Sequence, residues 1–121
     1  MSASAIPLFS PMAVEPHAVG RRTVLAVAGE IDIASSPRLR AALQTALDAG
    51  AHDLWVDLDA TTFMDSSGLH VLLDAHRMAG EMRRRLTIVC PPGNVRRVFE
   101  ITGLATTLRI HDDRAAAQRD A

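Results

Sequence analysis

The sequence predicts a single α/β domain: a mostly parallel, mixed β-sheet of four to five strands, opened by an antiparallel hairpin and packed against about four helices. The chain has 121 residues, enough for one hydrophobic core but not for two. Short apolar runs alternate with stretches of helical period, a pattern typical of parallel strands joined by crossover helices. Glycine and proline stand at the boundaries between these stretches.

The first two strands are predicted as a hairpin. Residues 23–28, TVLAVA, form an apolar run, and VGRR at residues 19–22 looks like the turn of a hairpin whose first strand is placed at residues 12–15. Residues 1–11 are rich in Ser, Ala and Pro and show no period, so we expect a flexible N-terminal segment before a domain at residues 12–112.

The first helix has the clearest pattern. Ser36 is predicted as its N-cap, Pro37 suits the first helical position, and Gly50 supplies the stop. Between them, apolar residues recur at helical spacing, at Leu39, Ala42, Leu43, Ala46 and Leu47. Residues 53–58, DLWVDL, then alternate as a strand that faces the core with Leu54, Val56 and Leu58.

The second half repeats this order. After a loop at residues 59–65, a helix is predicted with one apolar stripe, and Gly80 is placed to end this helix or its last turn. The stripe comprises Leu69, Leu72, Leu73 and His76. Residues 85–90 are predicted as a strand and residues 107–110 as a short last one. Between them Asn94 is expected to cap a helix that ends at Gly103 and points Val95, Val98, Phe99 and Thr102 inward. Residues 113–121 are expected to form a tail or marginal helix.

Composition excludes several classes of protein. The net charge of −1 argues against a nucleic-acid partner, and the arginines at residues 83–85 are interpreted as a solvated helix end. The chain has no lysine, which rules out a Walker-type phosphate loop or a Schiff base. Its single cysteine, Cys90, allows no intrachain disulfide and suggests no metal site. We see no leader and no membrane-length apolar run, so we expect a cytoplasmic protein with no membrane partner.

The segment FMDSSGL, residues 63–69, leaves three interpretations open. Asp65 or Ser66 fits a helix N-cap with no further role. Alternatively, Ser66 resembles a hydrolase nucleophile with His70 as its base, although Met64 replaces the first glycine of a G-x-S-x-G elbow. Finally, Ser66 suits phosphorylation, because the unpaired N–H groups and positive dipole at a helix start accommodate an added phosphate. That charge would be repelled by Asp59 and Asp65 and would disturb a docked partner.

Three motifs, in this order and spacing, resemble the STAS-domain anti-anti-sigma factors of bacteria. They are GEID at residues 29–32, VDLDATTFMDSSGLHVLL at residues 56–73 and VRRVFEITGL at residues 95–104, and the likeness covers about residues 12–110. The resemblance implies a non-enzymatic, cofactor-free switch that binds an anti-sigma factor serine/threonine kinase with a histidine-kinase-like ATP fold and so releases a sigma factor. The kinase would phosphorylate the first serine of D-S-S-G, and a PP2C-type phosphatase would restore binding.

Carried over by position, the resemblance makes Ser66 the phosphoacceptor. It implies a partner-binding set of Asp32, Asp65, Ser67, Gly68 and Leu69. The same family includes lipid-transport accessory proteins and stressosome scaffolds that do not act on a sigma factor, which remain the alternative. The oligomeric state stays open between monomer and weak dimer.

Overall fold

The computed structural model describes residues 11–120 and shows the predicted α/β fold. The N-terminal segment predicted to be flexible lies, apart from Pro11, outside the described residues. Within residues 11–120 the strands are β1 (Ala13–Val19), β2 (Arg22–Ile31), β3 (Asp53–Asp57), β4 (Thr61–Met64), β5 (Arg85–Val89) and β6 (Ile110–His111). The helices of the same part are α1 (Ser36–Asp48), α2 (Ser66–Glu81), α3 (Asn94–Ile101) and α4 (Arg114–Arg119).

The sheet has the strand order β1-β2-β3-β5-β6. Strands β1 and β2 form the predicted antiparallel hairpin, turning at Gly20 with φ +65°, and the other pairs are parallel. Pro16 has no backbone N–H to donate, but it is tolerated in β1 because this strand lies at the sheet edge, where one side of the backbone has no neighbouring strand to bond.

The prediction of a loop throughout residues 59–65 is wrong, because Thr61–Met64 form strand β4. It pairs in parallel with the end of β2, past the residues that bind β3, with Glu30 opposite Phe63 and Ile31 opposite Met64. The register shifts after Gly29, whose φ of +86° suits glycine at an irregularity of this kind. Four residues are too few to show strand alternation, and this pairing raises the sheet to six strands.

Helices α1 and α2 cover one face of the sheet and enclose the main core with Leu25, Leu54 and Ile88. The other face of β3 is also buried: Trp55 is 3 % exposed, beneath α4, and the Arg22 guanidinium lies 3.7 Å from its ring centroid. The expected tail is therefore a short helix, anchored by buried Ala117.

Two predicted helix caps are wrong by one residue. Ser35, not Ser36, precedes α1, and its hydroxyl bonds within the preceding loop while Ser36 is buried as the first helical residue. Gly93, not Asn94, precedes α3, since the Asn94 amide instead donates to the Thr62 carbonyl at 2.9 Å. The Ser35 hydroxyl is thus used by residues 30–32 just before the helix, and the Asn94 side chain by a tertiary hydrogen bond, so neither caps its helix.

Two other details differ. Helix α2 buries Ala75 and Ala79 rather than His76, while Gly80 lies in its last turn as predicted. The arginine run is a turn rather than a solvated helix end: Arg83 has φ +57° and Arg84 donates to the Leu47 carbonyl.

Near the C-terminus, Thr102 is exposed, because α3 ends at Ile101 and the chain turns away at Gly103. Strand β6 is confined to Ile110–His111, while Leu108 is buried in the turn before it. None of the helices in the described range combines the length and hydropathy that crossing a bilayer requires.

Candidate functional site

Two loops leave the same edge of the sheet, one after β2 and one after β4. The backbone N–H of Asp65 donates to the Ile31 carbonyl at 3.1 Å, so the residue that starts α2 is tied to the residue that ends β2. Parallel pairing thereby gathers the Asp32 loop and the D-S-S-G segment at the carboxyl ends of neighbouring strands, where α/β proteins commonly place binding sites.

Asp65 is the N-cap of α2, as one interpretation of the sequence predicted. Its backbone is extended, and its Oδ1 accepts the Ser67 N–H at 2.9 Å. The Ser67 hydroxyl donates to the same oxygen. One carboxylate therefore holds both the helix start and the second serine.

The two serines have different surroundings. The Ser67 hydroxyl is engaged by Asp65 in a half-buried position. Ser66 is exposed, and its hydroxyl makes no hydrogen bond to another residue of the described range. Only Ser66 thus offers a free hydroxyl to another molecule, at a helix end whose first N–H groups favour negative charge.

Gly68 and Leu69 lie beneath this surface. A Cβ added to Gly68 would stand 2.6 Å from Ile31 Cγ2 and 2.8 Å from Met64 Cγ, so only glycine allows α2 to approach β2 and β4 this closely. Leu69 is 3 % exposed and packs in the core. Of the five residues in the implied partner-binding set, Gly68 and Leu69 are therefore buried, whereas the side chains of Asp32, Asp65 and Ser67 are partly accessible at the surface.

The Asp32 loop is held by its own side chains. Asp32 Oδ1 accepts the N–H groups of Ala34 at 3.0 Å and Ser35 at 2.9 Å, and the Ser35 hydroxyl donates to the Glu30 carbonyl. The backbone hydrogen bond from Ser35, with smaller contributions from Ala34 and the charge of Arg38, lowers the pKa of Asp32 below its ordinary value. The carboxylate is therefore charged at neutral pH and fixes the shape of the loop.

The structure adds a groove that the sequence did not predict, between the N-terminal halves of α1 and α2. This α1–α2 groove has a volume of about 630 Å³ and is lined by Ile33, Pro37, Ala41, Ser67, His70 and Val71, with Arg40 at its rim. Ile33 is 80 % exposed. The sequence offered one indication of this groove: an isoleucine, Ile33, stands between Asp32 and Ala34 in a segment that belongs to neither a strand nor a helix.

The hydrolase interpretation gains no support from the geometry. Within residues 11–120 no hydrogen bond joins Ser66 to His70, and His70 lies exposed along the groove.

Cys90 is 1 % exposed, and burial raises the pKa of its thiol to about 11, which leaves it protonated and unreactive.

Comparison with known proteins places these features in one family. The family model of the STAS domain matches residues 10–117. An anti-sigma-B factor antagonist of Staphylococcus aureus is 29 % identical over 86 residues, covering 71 % of this chain and 80 % of that protein. A crystal structure of an anti-sigma factor antagonist from Mycobacterium paratuberculosis superposes with a TM-score of 0.79 at 26 % identity, over 84 % of this chain and 86 % of that one.

The anti-sigma factor antagonist SpoIIAA resembles the chain in two states. Its unphosphorylated form gives a TM-score of 0.73 at 28 % identity, over 88 % of this chain and 95 % of its own. The phosphorylated form of this Bacillus cell fate determinant gives a TM-score of 0.68 at 27 % identity, over 90 % of this chain and 100 % of its own.

Proposed function

We propose that this chain, which belongs to the STAS domain family, is an anti-sigma factor antagonist switched by phosphorylation of Ser66. The observation that carries the proposal is the difference between the two serines. Ser66 presents a free, exposed hydroxyl at the start of α2, whereas the Ser67 hydroxyl donates a hydrogen bond to the Asp65 carboxylate. The names of the relatives support the role, and the phosphorylated SpoIIAA structure supports the type of modification.

In its unphosphorylated form the protein binds an anti-sigma factor serine/threonine kinase with a histidine-kinase-like ATP fold, and the kinase releases its sigma factor. The kinase then transfers the γ-phosphoryl group of ATP to the Ser66 oxygen; the hydroxyl proton is lost and ADP leaves. A PP2C-type phosphatase hydrolyses the phosphoester and returns the serine. The chain itself acts as a binding module without a cofactor and serves the kinase as substrate.

The switch works through charge at an exposed position. A phosphate adds about −1.5 to −2 charges at pH 7. The N–H groups at the start of α2 tolerate it, while the carboxylate of Asp65, the preceding residue, opposes it. The repulsion expected from Asp59 is weaker, because strand β4 separates this residue from Ser66. The fold remains intact because Ser66 makes no side-chain contact that the phosphate must break, and SpoIIAA superposes on the chain in both states.

Within this proposal the partner-binding residues have two kinds of role. Asp32, Asp65 and Ser67 contribute the surface around the acceptor, with Asp32 holding the neighbouring loop. Gly68 and Leu69 act from below, by setting how closely the start of α2 sits on the sheet.

The test is phosphate transfer. Candidate kinases with the histidine-kinase-like ATP fold are incubated with the protein and ATP, and intact mass is measured. We expect one added phosphate in the wild type and in Ser67→Ala and none in Ser66→Ala; a fully phosphorylated Ser66→Ala protein would refute the assignment.

Binding to the same kinase tests the switch separately. Ser66→Asp is expected to bind more weakly than wild type, whereas Ser66→Ala binds but cannot be switched off. Equal affinities for all three proteins, measured by calorimetric titration, would show that charge at this position is not the control. Protein isolated from its own cells without any phosphate and without an associated kinase would favour the scaffold alternative.

A further inference from the structure

We propose that the anti-sigma kinase docks into the α1–α2 groove, with Ile33 as the apolar anchor and an acidic segment of the kinase against the groove rim. This inference rests on the proposed function and specifies which side of Ser66 the kinase covers. The alternative side carries Phe63, which is 43 % exposed on β4.

Ile33 is presented to solvent by a fixed loop. Its side chain is 80 % exposed, yet the loop that carries it is fixed by hydrogen bonds from Ala34 and Ser35 to the Asp32 carboxylate. Because the loop backbone is already fixed, covering this side chain requires little further ordering of the backbone. An apolar anchor that the partner fully covers can then contribute a large part of the binding energy of the interface.

The groove is also continuous with the switch. Ser67 lines the groove, and Ser66 is its neighbour in the chain, so the acceptor lies beside the groove. Behind it the floor is apolar, formed by Val71 and Ala41. A segment of the kinase that fills this groove therefore also covers the hydroxyl that it modifies.

The charge at the rim of the groove favours an acidic partner segment. The rim carries Arg40, whose side chain is 50 % exposed, and no carboxylate of the described residues lines the groove. Asp74 pairs with Arg40 at 3.1 Å but also binds Arg77, so the rim keeps its basic character. An acidic partner segment fits this rim, and it is the kind of partner that a phosphate on Ser66 repels most strongly.

The experiment uses the kinase that phosphorylates Ser66 and titrates it with matched variants. Ile33→Ser is compared with Ile101→Ser, because Ile101 is equally exposed at 77 % but lies at the end of α3. Arg40→Glu is compared with Arg97→Glu, an exposed arginine on α3. Circular dichroism confirms that each variant is folded.

We expect Ile33→Ser to weaken binding about tenfold or more and Ile101→Ser to leave it within about twofold of wild type. Arg40→Glu should weaken binding and reduce its dependence on salt, whereas Arg97→Glu should change neither. The inference is overturned if Ile33→Ser matches Ile101→Ser, or if Phe63→Ser causes the loss instead.

The outcomes also separate this inference from the proposed function. If Ser66→Asp abolishes binding while Ile33→Ser and Arg40→Glu do not, the switch stands and the docking side is wrong. If Ile33→Ser weakens binding while Ser66→Asp binds like the wild type, the groove is the docking site but the phosphate is not the switch.

Discussion

Replacing Gly68 by alanine is expected to destabilise the protein, whereas the same replacement at Gly80 in the same helix is expected to stabilise it. Gly80 lies in the last turn of α2 with nothing within 4 Å of an added Cβ and no positive φ. Gly80→Ala should therefore gain about 0.4–1 kcal/mol, chiefly by restricting the unfolded chain.

At Gly68 a similar gain is opposed by overpacking. The new Cβ meets Ile31 Cγ2 at 2.6 Å, and the stiff, β-branched Ile31 is itself fully buried. Inserting a methyl group into a well-packed core costs about 1–3 kcal/mol. Both variants gain similarly from losing a glycine. The difference between their free energies of unfolding, also about 1–3 kcal/mol, therefore measures the cost of overpacking at Gly68.

The assay is urea denaturation followed by the fluorescence of Trp55, the single tryptophan, which is 3 % exposed when folded. With a slope of about 1–3 kcal/mol per molar urea, the two midpoints should separate by roughly 1 M, with wild type between them. Midpoints that shift together in the same direction would show that α2 can move away from Ile31 and Met64 without cost, which would refute the close-packing argument.

Three further predictions concern single groups. In a Ser66→Ala background, Asp65→Ala should release the Ser67 hydroxyl and permit its phosphorylation by the same kinase, seen by peptide mass spectrometry; an unmodified Ser67 would mean that the kinase, not Asp65, selects the serine. Cys90 should not react with a thiol reagent at pH 8 until urea unfolds the protein, because its pKa is about 11 and it is 1 % exposed. In carbon-detected NMR, the pKa of the Asp32 carboxyl should lie below the ordinary aspartate value of about 3.9. The stability that this carboxylate contributes to the fold is therefore fully present above about pH 3.9 and is lost as the pH falls through the lower pKa of the folded state. A titration midpoint above about 3.9 would contradict the hydrogen bonds assigned to Asp32.

The sequence predicted those parts of the fold that depend on local pattern. Helix α1 shows a full apolar stripe ended by Gly50, and β3 and β5 are short, largely apolar segments, so each was found within a residue or two. Helix caps were less predictable, since the Ser35 hydroxyl bonds to the residues just before it and the Asn94 amide to Thr62 on strand β4.

What escaped prediction depends on contacts between distant segments. Strand β4 exists because it pairs with Glu30 and Ile31, and nothing within its four residues indicates that partner. The motif located the candidate site at Ser66, but the groove beside it arises where α1 meets α2, and Ile33 becomes prominent only once the Asp32 loop is folded.

The hydrogen bond from Asp65 N–H to the Ile31 carbonyl has an evolutionary consequence. Main-chain atoms place the acceptor serine, so side chains around the α1–α2 groove can be exchanged without displacing it. Duplicated copies of such a gene can therefore diverge in the partner they recognise while keeping the same chemistry at the serine. Several regulators of this design can then operate in one cell, each insulated from the others' kinases.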